Sequence, residues 1–416
     1  MKKYLTDPLI LFNDLLNKII IFSNEEIKVS SEHLFYFSYV VYLVANFFFK
    51  FTTIETVLGV NADLLANMVI YPLYILLFIK IIYYQSYSKN EVLKIISVGI
   101  IILISSYFSG VKLLVTAFIF IIAAKDIDIN KVIRLTLIIQ IICISIIALL
   151  AVGNIIENRT FSRKDGTIRY SLGFKHPNAF AGQILQLCIC WVWIRWEKLN
   201  YKDYLFLSVL AVFIIKVCDS RTSALLILAF IGIVLMDKYF ENKNIKLMKK
   251  AISIVTKLSI IICPLVSLLL GILYNSNNKF YFLIDKVISG RIKLLNDYFI
   301  KQGYSIVGQK INIISTYASK RSEYDTTALD NAYGHIAVRY GLIILIIFII
   351  GFYLVAKKAD NENNNKALIC IFIYMVFGIT EIYIFNLPYN VLLLLLSVAI
   401  YSYKKIDNET LKSINM

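Results

Sequence analysis

The sequence predicts an all-α polytopic membrane protein, with about twelve transmembrane helices and one large extracytoplasmic loop between the ninth and tenth. Three observations carry this prediction. Hydrophobic residues make up 59% of the 416 residues and the mean hydropathy is +0.72, values foreign to a soluble domain of this length. Apolar runs of roughly 17–25 residues, the length that crosses a ~30 Å hydrocarbon core as helix, recur from end to end. A single polar stretch, Tyr274 to His335, is long enough to build structure outside the bilayer.

Twelve runs fill the spanning role within one integral membrane domain: about 34–49, 65–84, 92–108, 110–124, 132–152, 178–196, 204–218, 222–236, 252–273, 336–356, 367–385 and 389–403. Those near 110–124 and 389–403 are among the shortest. Residues 1–33 precede them, and their patches Leu9-Ile10-Leu11-Phe12 and Ile19-Ile20-Ile21-Phe22 suit the interface better than a crossing. No h-region there leads to a small-residue cleavage site, so no cleaved signal peptide is expected. The six cysteines (Cys143, Cys188, Cys190, Cys218, Cys263 and Cys370) fall inside spans and read as small packing residues. Neither disulfides nor a thiolate metal site is expected from them.

A net charge of +16 raises nucleic acid as a partner, but the distribution argues against it. The charge sits in short loops that alternate with poorly basic ones. Lys238, Lys243, Lys246, Lys249 and Lys250 follow the eighth span, Lys357 and Lys358 the tenth, and Lys404 and Lys405 open the tail, 404–416. Under the positive-inside rule these ends are cytoplasmic, as is the amino terminus with Lys2 and Lys3. The 153–177 loop, the Asp219–Thr222 turn and the 274–335 loop then face outward. Two of these are basic against that bias. The 153–177 loop holds Arg159, Arg163, Lys164, Arg169 and Lys175 against Glu157 and Asp165. Cations kept outside suggest an anionic partner at the outer surface, with membrane lipid headgroups as the simplest candidate.

Four outer motifs carry the candidate residues. His176-Pro177-Asn178 enters the sixth span; proline suits a first helical turn, which leaves His176 either an interfacial cap or a ligand-facing group. Asp219-Ser220-Arg221-Thr222 joins two spans with almost no loop, and Arg221 brings a bidentate fork suited to phosphate. Ser289-Gly290-Arg291 opens an amphipathic helix with Ile288, Ile292, Leu295 and Phe299 on its apolar stripe and Ser289 as N-cap. Arg291 has the wrong sign for that helix end unless an anion sits between them. Asp330-Asn331-Ala332-Tyr333-Gly334-His335 ends the loop, Asp330 being a possible N-cap. Asn331, His335 and Arg339 lie four apart, drifting only ~40° per step, as one wall of an outward cleft. Arg339, about a turn inside the boundary, is costly unless it lines a polar cavity.

In order and placement these pieces resemble the O-antigen and capsular polysaccharide polymerases (Wzy-type), of the superfamily that includes O-antigen ligases. The similar stretches are Leu172-Gly173-Phe174-Lys175-His176-Pro177-Asn178, Ser220-Arg221-Thr222, Ser289-Gly290-Arg291-Ile292, and Leu329-Asp330-Asn331-Ala332-Tyr333 leading through Arg339-Tyr340-Gly341-Leu342-Ile343 into a span. The likeness covers about 170 to 345; the first 150 residues share only topology. It implies a GT-C-like, metal-independent glycosyltransferase without cofactor, outside the bacterial cytoplasmic membrane. The donor would be a glycan on undecaprenyl pyrophosphate and the acceptor a lipid-linked repeat unit, with a flippase and a chain-length regulator as partners in the same pathway. Arg291 and Arg221, helped by Arg163, Arg169 and Arg339, would bind the pyrophosphate. His176, Asn178, Asn331 and Tyr333 would touch substrate.

The base remains open at this stage. The related ligases place histidine immediately before the asparagine, where this chain has Asp330. Position favours Asp330, with a pKa raised by burial; intrinsic pKa favours His335. A lipid-linked oligosaccharide flippase or other transporter is the alternative from another class, with Pro72 and Pro264 inside spans in its favour. The absence of an internal repeat and the outer clustering of charge count against it. An O-antigen ligase differs chiefly in its acceptor. A classical polyprenyl-phosphate sugar transferase would need paired acids in the first outer loop, where Glu55 and Asp63 stand apart.

Overall fold

In a bilayer each stretch of backbone must satisfy its own N–H and C=O groups, so the apolar runs close into helices. The structure, a computed structural model, describes residues 31–59, 61–163, 166–243, 246–311 and 329–401. Residues 1–30, Lys164, Asp165, the loop middle 312–328 and the tail with Lys404 and Lys405 lie outside the described residues. In chain order the first helices are α1 (Ser31–Ala45), α2 (Ala62–Tyr83), α3 (Lys89–Ser109), α4 (Leu113–Ala123), α5 (Ile129–Val152), α6 (Pro177–Arg195), α7 (Tyr201–Cys218), α8 (Arg221–Asn242) and α9 (Lys246–Leu273). The long loop adds α10 (Lys279–Val287), α11 (Arg291–Gln302) and a single turn, α12 (Ala332–His335). There follow α13 (Leu342–Asn361), α14 (Asn365–Phe377) and a last turn, α15 (Ser397–Ile400).

Among the described residues seven helices (α2, α3, α5, α6, α8, α9 and α13) are long and apolar enough to cross a membrane. The protein is thus an all-α membrane protein. Several helices begin earlier than their apolar runs, because a polar capping turn precedes the apolar residues. Asn61 accepts from Asp63 and Leu64 at the start of α2. Ser88 and Glu91 form a reciprocal capping box on α3, as Asn200 and Asp203 do on α7.

The end of the chain departs from the expected pair of spans at 367–385 and 389–403. Helix α14 stops at Phe377, and short 3₁₀ turns at Ile382–Phe385 and Val391–Leu396 replace a continuous helix. Polar residues break it. Asn390 donates to Ile384 O at 2.7 Å and accepts from Leu392 N, serving the local backbone instead of a helix. Irregular backbone at this depth is tolerated because it is enclosed by protein: Ile384, Leu387, Leu392 and Leu394 are fully buried. The run expected at 336–356 likewise starts as helix only at Leu342. Residues Ile336–Tyr340 form a π-turn that ends at Gly341.

Helices α7 and α8 form a hairpin, α1 packs on α2 and α5, and α9 packs on α11, α13 and α14. One end of the bundle gathers the described parts of the connections, 46–59, 153–163, 166–176, 219–220, 274–311, 329–341 and 378–390, and the candidate residues lie there. Within the 153–177 loop a hairpin forms from β1 (Thr160–Ser162) and β2 (Ile168–Tyr170), pairing Phe161 with Arg169. The loop is tied to the segment after α1: Thr53 Oγ1 donates to Glu157 O at 2.7 Å, and Lys175 N donates to Phe51 O at 2.8 Å. The long loop is anchored too. Ser305 N donates to Ala337 O, Gln309 N to Arg339 O and Leu342 N to Ser305 O, so residues 305–309 lie across the π-turn.

That crossing demands glycine at 341. Gly341 has φ +102°, and a Cβ there would fall 2.5 Å from Ile306 O. Gly341→Ala is expected to cost ~1–3 kcal/mol from backbone strain alone, before the clash is counted. Thermal unfolding of the purified protein should show a lower Tm; an unchanged Tm would mean that the loop does not press on this turn.

Candidate functional site

Arg291 opens α11, but not as the sequence predicts. Ser289 and Gly290 both take left-handed conformations (φ 62° and 82°), and Gly290 holds the N-cap position without a side-chain bond. The cap comes from α10: Asp285 Oδ1 accepts from Ile292 N at 2.9 Å and Lys293 N at 3.0 Å. The anion that this helix end calls for is therefore Asp285, which corrects the role expected of Ser289. Relieved of that duty, Arg291 turns inward. Its Nη2 donates to Glu381 Oε1 at 2.7 Å, its Nη1 to Ile288 O at 3.1 Å and its Nε to Thr380 O.

Glu381 is the residue that sequence reasoning missed. It lies in the irregular segment after α14 and is 2% exposed. An acid inside a nominal span is expensive without a partner, and that cost was the available signal. Glu381 Oε1 also accepts from Asn178 Nδ2 at 2.9 Å. Asn178 Oδ1 in turn accepts from Arg169 Nη2, and Arg169 Nε donates to Cys218 O at 2.7 Å. A relay thus runs from Arg291 through Glu381 and Asn178 to Arg169, joining the long loop, the final segment, α6 and the β-hairpin.

His176 is the N-cap of α6, its Nδ1 accepting from Asn178 N at 3.1 Å, while its ring packs on Phe161. Burial, then Arg169 and Arg291, push its pKa down to about 3, so it stays neutral and serves as an acceptor. Asp330 lies in the field of Arg291 and Arg169. Burial pushes its carboxyl above the usual range although both arginines pull it down. Glu381 is raised to about 8 by burial, which outweighs Arg291, with Asp330 adding to the rise. Two acids and two arginines therefore lie within one another's field.

A second hub abuts the first at Cys218-Asp219. Asp219, left-handed at φ 43°, forms ion pairs with Arg163 and with Arg221 (3.0 Å to Nε), and Arg163 Nη2 also donates to Asp219 O at 2.8 Å. Arg221 is the most open of these cations, with 61% of its side chain exposed.

The expected wall of Asn331, His335 and Arg339 does not form. Asn331, not Asp330, caps α12: its Oδ1 accepts from Gly334 N at 2.8 Å, and its Nδ2 donates to Ser267 Oγ and Ile379 O. That leaves it buried and fully used. Tyr333 is wholly buried with its hydroxyl donating to Met375 O at 2.6 Å, a packing position rather than a substrate contact. His335 and Arg339 line a separate chamber of about 620 Å³ together with Lys50 and Lys112. Among the described residues, no group of three or more His, Cys, Asp or Glu side chains is placed to hold a metal ion. Chemically, the relay offers guanidinium groups for an anion and a carboxyl, Asp330, whose raised pKa suits taking up a proton. No family model matches the chain, and no curated protein or solved structure matches it.

Proposed function

We propose that the protein is a polysaccharide repeat-unit polymerase, transferring a growing glycan from undecaprenyl pyrophosphate to a lipid-linked repeat unit. The observation that carries the reading is the Arg169–Asn178–Glu381–Arg291 relay beside Asp330, which draws four distant segments to one end of the bundle. The acceptor hydroxyl attacks the donor's anomeric carbon; a C–O bond forms while the bond to pyrophosphate breaks. The electron pair leaves with the pyrophosphate and the hydroxyl proton passes to Asp330. A single displacement of this kind inverts the anomeric centre.

The leaving group needs cations, and Arg221, with 61% of its side chain exposed, is the one that a pyrophosphate reaches most directly from solvent. Arg163 shares Asp219 with it and adds to the positive field there. Arg291 and Arg169 are held deeper and supply a fixed field. The proposal includes a GT-C-like arrangement of the crossing helices in the bacterial cytoplasmic membrane, with the site outside. The cationic ends at Lys238, Lys249, Lys357 and Lys358 support a cytoplasmic position for the opposite face and both termini.

One observation favours a transporter instead: the broken segment 378–396 is the kind of interrupted helix that builds transport sites. Deleting the protein in its host distinguishes the two. Loss of long surface glycan with single repeats retained is expected of a polymerase. Repeat units accumulating inside would indicate a flippase, and normal polymer left unattached would indicate a ligase.

A further inference from the structure

Two cavities meet at Phe385, and only one of them is polar. The chamber of about 620 Å³ has three cationic side chains on its walls (Lys50, Lys112 and Arg339) against one carboxylate, Asp63. Two of its polar atoms, Arg339 Nε and His335 Nδ1, are buried without a hydrogen-bond partner. An unpaired buried guanidinium N–H is costly, and an anionic oxygen would satisfy it. The His335 ring bonds the Leu329 carbonyl, and burial with Arg339 keeps it neutral, so its free nitrogen is an acceptor fit for a hydroxyl. None of these groups takes part in the Arg291 relay.

The second cavity, about 400 Å³, is a groove between α3, α4 and α13 floored by residues 385–400. Its walls are apolar (Ile102, Leu114, Phe118, Ile347 and Phe348 among them), and its single charge, Lys94, sits at the far end with Nζ held by Ala399 O and Ile400 O. Helix α4, at 11 residues, rises only ~17 Å, about half the hydrocarbon thickness. Phe385 lines both cavities, and consecutive residues of α4 face one or the other: Leu113 and Thr116 the chamber, Leu114 and Ala117 the groove.

A polar, cationic head site sharing its Phe385 wall with an apolar groove inside the bilayer matches an anionic lipid. One groove accepts one chain, which favours a prenyl chain over the paired acyl chains of a phospholipid. We propose that chamber and groove together bind a polyprenyl pyrophosphate, with the pyrophosphate on Lys50, Lys112 and Arg339 and the chain along α4 and α13. Resting on the polymerase reading for its role, this is the place of the acceptor lipid: two lipid-linked substrates carry two pyrophosphates, and the relay serves the other. His335 then meets a hydroxyl of the first sugar.

The test uses the full chain in neutral phosphatidylcholine nanodiscs, with undecaprenyl pyrophosphate, inorganic pyrophosphate and phosphatidylglycerol as probes. Lys112→Ala is expected to weaken both pyrophosphates about tenfold at one of two binding steps, leaving the step that belongs to the relay unchanged. Ile347→Trp, which fills the groove, should weaken the undecaprenyl form by a similar factor and spare inorganic pyrophosphate. Arg339→Ala should act like Lys112→Ala; because Lys112 lies at a helix start and its alanine variant should fold, a folding failure at Arg339 leaves the test intact. Undecaprenyl pyrophosphate binding unchanged in both Lys112→Ala and Ile347→Trp would overturn the site. So would phosphatidylglycerol binding as tightly as the prenyl lipid. Should the polymerase reading fail while the site stands, these binding losses would persist and Lys112→Ala would leave surface glycan length untouched.

Discussion

Arg291→Ala is expected to abolish chain extension, and the loss should persist after its structural damage is repaired. Arg291 is 8% exposed and its guanidinium is the cation facing Glu381, itself 2% exposed. Truncation strips the buried Glu381 of its cation and removes the bonds to Thr380 O and Ile288 O, so the protein should lose stability. The single variant therefore mixes instability with lost chemistry. Arg291→Ala combined with Glu381→Gln replaces the acid with a neutral amide and keeps an oxygen for Asn178 Nδ2. This double variant should regain most of the Tm and membrane level of the native protein and still make only single repeat units. Long glycan chains from the double variant would show that Arg291 acts only by neutralising Glu381. Arg291→Lys retains charge without the fork that reaches Thr380, Ile288 and Glu381 together, so it should fall between the two.

The bilayer explains which parts of this fold are legible in the sequence. Apolar runs near 65–84, 92–108 and 132–152 emerge as α2, α3 and α5, since their length is set by a hydrocarbon thickness that no tertiary context alters. The segment after Phe377 obeys a different constraint. Its backbone stays irregular because partners from elsewhere satisfy it: Ala332 N donates to Gly378 O, Asn331 Nδ2 to Ile379 O, Arg291 Nε to Thr380 O and Gln183 Nε2 to Pro388 O. Nothing within 378–390 announces those donors, which come from residues 46 to 205 positions away. Hydropathy therefore reads the segment as span and misses Glu381.

The site divides along the same line. Residues drawn together by sequence motifs, Arg169, Asn178 and Arg291, do share a pocket, but the link between them is the unforeseen Glu381. Arg163 and Arg221 meet at Asp219, which local sequence shows only as part of a tight turn. Ser289 has the chemistry of an N-cap and is not used as one, because Asp285 from the preceding helix bonds two amides at once. The Asn331–His335–Arg339 stripe presumes α-helical spacing. His335 and Arg339 do share a chamber, but Asn331 drops out because its side chain is spent as the cap of α12 and on Ser267 Oγ and Ile379 O.

Asp330→Asn is expected to reduce chain extension by roughly 10²–10⁴-fold, the usual contribution of a general base, with little change in Tm. The amide is isosteric and relieves burial of a charge. His335→Gln should weaken acceptor binding while costing far less in the chemical step than Asp330→Asn, since His335 belongs to the chamber and is held near pKa 4 by burial and Arg339, a weak base at neutral pH. The reverse outcome would move the base to His335. The pH dependence gives an independent check, because activity and stability must move in opposite directions. Burial raises Asp330 above its unfolded value, and Glu381 to about 8. A group raised on folding contributes stability that is fully present below its unfolded pKa and is lost as pH rises through its folded pKa. A base, by contrast, works only once it has lost its proton, so chain extension should climb as pH rises through the elevated Asp330 value. Across that window the native protein should lose activity on acidification while its Tm holds or increases, and a Tm that falls in step with activity would count against Asp330 as the titrating base.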